Sequence, residues 1–297
     1  MTPIRLALLV ASFLFLHGSA ARAQAYERAR PSGIDLCRSS RTFTYALAVS
    51  EGHPTSEERA AIEAAVETWR QAASTCSDLV FERAADVTEG KLTTGGSTVI
   101  SFRPRACKDV VPDTEACWAE YSCGEKYNCW SHGSSEIAET GLIFKTDTGE
   151  ILGGLIELDA SLGTLTTADG SPCARGSVTP GCVGHDVQGL MTRSIGEALG
   201  FALLARTDST MTTSLSWGDT RKRVLDAGTL EGLCALYPRG QPTPGCVSAS
   251  PPPDPAPETP PKGGCDASAS GPLLGAAVLL LRAIRRPRRS RGAATRA

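Results

Sequence analysis

Thr192-Arg193-Ser194-Ile195-Gly196-Glu197-Ala198-Leu199-Gly200-Phe201-Ala202-Leu203 is the stretch on which the reading of the fold turns. It lies within residues 186–204, the longest helical candidate in the chain. On a helix, residues four apart share a face, so Arg193 and Glu197 are expected to meet as opposite charges. Exposed, such a pair contributes about 0.3–0.5 kcal/mol. Buried, its net effect is small, because desolvation costs much of the Coulomb gain.

Outward from this stretch, the chain alternates between strand and helix patterns. Residues 41–49 are rich in β-formers and alternate, which predicts a strand. Thr55-Ser56-Glu57-Glu58 reads as a helix start, a capping residue followed by acids. Residues 60–73 continue that helix, with Ile62, Ala65, Val66 and Trp69 on one face. Trp69 is assigned to core packing. Residues 98–102, 141–145 and 151–158 read as strands, the last two around the turn signal Thr146-Asp147-Thr148-Gly149. Residues 229–236 form a final short helix. Cys117, Trp118, Tyr121, Cys123, Tyr127, Cys129 and Trp130 mark a disulfide-stapled insertion loop. Its aromatics serve either as a contact surface or as packing over the staple.

The stretch resembles the zinc-binding helix of metzincin metallopeptidases, H-E-x-x-H-x-x-G-x-x-H followed by a methionine turn. Gly196, Ala198-Leu199-Gly200 and the preceding Asp186-Val187-Gln188 match that frame. Asp208-Ser209-Thr210-Met211 is similar to the methionine turn, with Met211 as its methionine. Leu230-Glu231-Gly232-Leu233-Cys234-Ala235-Leu236-Tyr237-Pro238 looks like the closing helix of bacterial matrix-metallopeptidase-like (matrixin-type) domains. Thr148-Gly149-Glu150-Ile151 and Ile156-Glu157-Leu158 resemble the strands over the cleft in that group. The resemblance runs over residues 41–238. It implies an α+β metzincin-like fold: a twisted mixed sheet, a long active-site-type helix and disulfide-stapled loops.

In that family two histidines on one helix face bind zinc, and the glutamate between them takes a proton from zinc-bound water. Here Arg193 replaces the first histidine, Ser194 the glutamate, Glu197 the second histidine and Leu203 the third. Arginine stays protonated and is no ordinary zinc ligand. Leucine cannot bind metal, and only Glu197 carries a ligating group. No catalytic residue and no metal site are therefore expected, and no cofactor. The leading expectation is a pseudopeptidase that binds a peptide or a surface protein, using an edge strand that accepts an extended chain. An atypical zinc endopeptidase with a site rebuilt on Glu197, His185 or Asp186 is the first alternative. A structural surface protein is the second.

The chain ends read differently from this body, taken as residues 32–238. Residues 1–23 read as a signal peptide: Arg5, an apolar run over 6–16, and Ala21-Arg22-Ala23 as cleavage site. That run is shorter than the ~20 apolar residues needed to span a bilayer. Residues 239–264 form a stiff linker, with nine prolines between Pro242 and Pro261. Residues 265–297 hold Cys265, a short apolar stretch at 272–281 and an arginine cluster. As a helix the apolar stretch covers only ~15 Å, about half of a ~30 Å hydrocarbon core. The segment resembles the C-terminal sorting signals of myxobacterial-type surface proteins, in which the cysteine is the processing or lipid-attachment point. An ordinary tail anchor is the alternative. Either way a membrane is a partner and the body lies outside it, extracellular or on the outer surface.

Eleven cysteines agree with export. Ten lie in or beside the body: Cys37, Cys76, Cys107, Cys117, Cys123, Cys129, Cys173, Cys182, Cys234 and Cys246. They allow up to five disulfides, of which Cys173 with Cys182 and Cys234 with Cys246 would close short loops. The net charge of −2 hides an asymmetry. Nine of the 30 basic residues are arginines in 1–23 or after Gly271, where there is no acid, which leaves 21 against 32 acids between, a net of −11. An acidic body excludes a nucleic-acid partner, which needs a basic face.

Overall fold

A computed structural model describes residues 26–246 apart from 134 and 215. The segment 1–23, most of the proline-rich linker and the segment carrying Cys265 lie outside the described residues.

The fold is α+β, built on a five-stranded mixed sheet in the order β2-β1-β3-β5-β4. Strand β1 (Thr42–Leu47) pairs in parallel with β2 (Val80–Arg83) on one side and β3 (Thr98–Arg103) on the other. Strand β5 (Ile151–Asp159) runs parallel to β3, and β4 (Ala138–Phe144) closes that side antiparallel to β5. Strand β2 apart, each strand of this sheet overlaps the range its apolar pattern predicts, β4 starting three residues before the expected 141–145. Val80-Phe81-Glu82-Arg83 buries only Phe81, too little periodicity to mark a strand, and pairing with β1 creates it.

Helix α1 (Ser56–Cys76) opens with a full capping box: Thr55 Oγ1 accepts from the Glu58 amide at 3.2 Å, and Glu58 accepts from the Thr55 amide at 2.7 Å. Its buried face, Ile62, Ala65, Val66, Trp69 and Ala73, packs with Phe43, Tyr45 and Leu47 of β1. Trp69 is fully buried and donates from Nε1 to the Thr192 carbonyl at 2.8 Å, which ties α1 to α5 (Val187–Ala198). Helix α6 (Ala227–Leu236) completes that layer, and Tyr237 donates to the Leu199 carbonyl at 2.6 Å. Behind the sheet lies a smaller apolar cluster of Ala48, Val99 and Leu155.

Two expectations are corrected. The longest helix is α1, with 21 residues. Helix α5 ends at Ala198 because Gly200 turns with φ +95°, and a β-carbon there would press on the Leu36 carbonyl at 2.9 Å. Cys234 does not pair with Cys246. It lies on α6 against the end of α1 and bonds Cys76, while Cys246 bonds Cys37. After α6 the chain crosses the end of α1, where Arg239 donates to the carbonyls of Ser74 and Ser77, and so carries Cys246 away from Cys234. The expected Cys173–Cys182 bond is present, and Cys107–Cys129 and Cys117–Cys123 staple the insertion loop. That loop contains three short helices, α2 (Cys107–Val110), α3 (Cys117–Glu120) and α4 (Cys123–Tyr127). Trp118 and Tyr127 pack over its cystines, whereas Tyr121 is exposed. A two-stranded ladder, β6 (Leu165–Thr166) with β7 (His185–Asp186), leads into α5.

Packing extends past 32–238 at both ends. Tyr26 meets Phe201 edge-on at 6.2 Å, and Thr243 donates to the Arg38 carbonyl.

Candidate functional site around helix α5

Asp186 starts α5 by accepting from the Gly189 amide at 2.8 Å. Its carboxylate also holds the Arg223 guanidinium at 2.7 and 2.9 Å, an interaction that raises the Arg223 pKa further. Asp186 is thus occupied as a cap and an ion-pair partner.

One to two turns further on, α5 meets the edge strand β4. Arg193 is buried and donates from Nη2 to the Ala138 carbonyl at 3.3 Å. Its Nε lies 3.8 Å from Glu197 Oε2, and Thr140 Oγ1 of β4 donates to the same oxygen at 3.1 Å. Helix and edge strand are therefore joined through this pair. Burial pushes the Glu197 carboxyl above its ordinary range, against the opposing pull of Arg193 and Thr140. The Glu197 side chain keeps 18% of its surface accessible, so desolvation is incomplete.

Ser194 is wholly buried, and its hydroxyl has no hydrogen-bond partner among the described residues. Leu203 lies partly buried against the main core. Met211 is buried beneath Gly196 and next to Trp69. Its turn is tied down twice: Leu204 donates its amide to the Met211 carbonyl at 2.6 Å, and Thr210 donates its amide to Asp226 at 2.6 Å. Asp226 also caps α6.

The donor set does not fit zinc. A fixed cation stands at Arg193, and Glu197 supplies the one carboxylate at the four altered positions. His185 lies on β7, before the first residue of α5, and Glu197 stands a further ~15 Å along the helix axis from that first residue, Val187. His53 lies 2.9 Å from Glu58, and His132 lies 3.0 Å from Glu157. Ten cysteines are consumed in disulfides. Among the described residues no three His, Cys, Asp or Glu side chains group to hold a metal ion.

A buried charged cluster elsewhere escaped the sequence reading. Arg103 is fully buried and donates from Nε to Glu157 at 2.6 Å, from Nη1 to Asn128 and from Nη2 to the Gly90 carbonyl. His132 approaches the other Glu157 oxygen. Desolvation opposes ionisation of Glu157, but the His132 hydrogen bond and the nearby Arg103 and His132 charges outweigh it and hold its pKa low. The cluster fastens the stapled loop to β3 and β5. Its one sequence signal is a glutamate within the apolar run Leu155-Ile156-Glu157-Leu158.

No protein-family model matches the chain, and no curated protein does. The five disulfides fit an oxidising environment.

Proposed function

We propose that this chain is an exported, surface-associated relative of the metzincin metallopeptidases that has no catalytic zinc and binds a peptide or protein along edge strand β4. The observation that carries the reading is the position of Arg193. Its guanidinium bridges the Ala138 carbonyl and Glu197, placing a permanent cation at the position of the family's first zinc ligand. The buried Met211 under Gly196, the turn at Gly200 and the antiparallel edge strand beside α5 support the family resemblance. Strand β4 has a neighbour on one side only, so its outer backbone groups can accept an extended chain. A rebuilt hydrolytic site gains no support, since His185 and Glu197 lie at opposite ends of α5 and Asp186 is engaged by Arg223. The experiment is metal analysis of the purified protein together with peptide hydrolysis and peptide-array binding. Substoichiometric zinc, no hydrolysis and saturable binding that is lost in Leu142→Pro are expected. Stoichiometric zinc with hydrolysis overturns the reading.

A further inference from the structure

A second feature lies just before the start of α5, whose first residue, Val187, is about 9 Å along the helix axis from Arg193. Arg175, Gly176, His185, Ser216 and Trp217 line an open pocket of about 460 Å³. Its walls are fixed. The Cys173–Cys182 disulfide closes the loop that carries Arg175. The Trp217 indole donates from Nε1 to the Cys173 carbonyl at 2.7 Å, and the Gly218 amide donates to the Gly184 carbonyl at 2.8 Å. His185 meets the indole edge-on, with centroids 5.1 Å apart at 87°.

The lining is chemically specific. Arg175 is exposed and makes no salt bridge among the described residues, whereas neighbouring Arg221 and Arg223 are paired with Asp219 and Asp186. The Nδ1 of His185 is buried without a hydrogen-bond partner among the described residues, and burial favours the neutral ring. A bare, desolvated Nδ1 leaves the proton on Nε2, so the ring is a neutral N–H donor. Trp217 supplies a flat apolar wall, and exposed Val178, on the loop that carries Arg175, lies with the indole around Gly184. A guanidinium pairs best with a carboxylate, in a two-pronged contact. An indole favours a flat apolar body.

We propose that this pocket binds a carboxylate attached to a flat apolar group, with Arg175 holding the carboxylate and Trp217 the ring. Two sources share that chemistry, a free aromatic acid and the C-terminus of a peptide ending in an aromatic residue. The proposal does not depend on peptide binding at β4.

Calorimetric titration of the full chain tests it with phenylacetate, with N-acetyl-phenylalanine and with N-acetyl-phenylalaninamide, which lacks the carboxylate. Saturable binding of the acids and weaker binding of the amide are expected. Arg175→Gln is expected to weaken the acids by about tenfold or more, the loss of one charge-assisted contact. Because Arg175 is exposed and makes no salt bridge among the described residues, this variant keeps the fold, and Arg175→Lys restores part of the affinity. Tighter binding of N-acetyl-phenylalanine assigns the pocket to chain ends, and tighter binding of phenylacetate assigns it to free acids. No saturable binding, equal binding of acid and amide, or an unchanged affinity in Arg175→Gln overturns the proposal.

Discussion

Gly196 lies so close over Met211 that a β-carbon at 196 would sit 2.4 Å from the Met211 sulfur and 3.0 Å from Cζ2 of Trp69. Helix α5 thus rests on the turn at Met211 through a residue without a side chain. The Gly196→Ala variant gains helix propensity but overpacks this contact, with an expected loss of about 1–3 kcal/mol. Urea unfolding measures it. A companion Met211→Ala change should recover part of the loss by opening the space, and a stabilised Gly196→Ala protein would contradict the contact.

Arg193 and Glu197 form a pair that is costly to halve. Either Arg193→Met or Glu197→Met leaves one desolvated charge without its partner. At 3.8 Å, with Glu197 partly accessible, the expected cost is about 2 kcal/mol, at or below the low end for buried pairs. The double change should recover most of it, since two apolar side chains of similar volume need no solvation. Chemical denaturation of the four proteins gives the coupling, and additive losses would show that the two side chains act independently.

Glu157 gives the fold an acid sensitivity with a definite sign. Its folded pKa is depressed, so the stability it contributes is complete above the unfolded carboxyl value of about 4.3 and is lost as pH falls through the folded value. Glu197, whose pKa is raised, acts in the opposite direction: its ionisation costs stability as pH rises from the ordinary carboxyl range toward the folded value. Glu157→Gln should lose about 3 kcal/mol at pH 7 by stranding Arg103. It should then lose less further stability than the parent between pH 5 and pH 3. Urea midpoints across that range decide it, and parallel acid slopes would remove Glu157 from the account.

The disulfides should contribute unequally. Chain entropy gives about 5 kcal/mol for Cys76–Cys234, separated by 158 residues, and about 2 kcal/mol for Cys117–Cys123, separated by 6. Thermal unfolding of the paired serine variants is the measurement. Peptide mapping of the unreduced protein should recover Cys37 joined to Cys246 and Cys76 joined to Cys234.

Some of this protein is written in short stretches of its sequence. The start of α1 at Thr55-Ser56-Glu57-Glu58, the buried face of α1 through Trp69, the apolar runs of β3 and β5 and the meeting of Arg193 with Glu197 four residues on all read directly. Caps and periodicity act between residues at most four apart, so neighbours in sequence report them. Tertiary structure alone decided the existence of β2, the end of α5, the partners of Cys234 and Cys246, the Arg103–Glu157–His132 cluster and the meeting of Arg175, His185 and Trp217. The physical reason is that loop closure discriminates weakly, since each doubling of length costs only about 0.6 kcal/mol. The short loop 234–246 is favoured over the 158-residue separation of Cys76 from Cys234 by only about 2 kcal/mol, which the packing of α6 against α1 overrides. Which distant side chains meet is set by the packing of α1, α5 and α6 on the sheet, and residue spacing carries little trace of it.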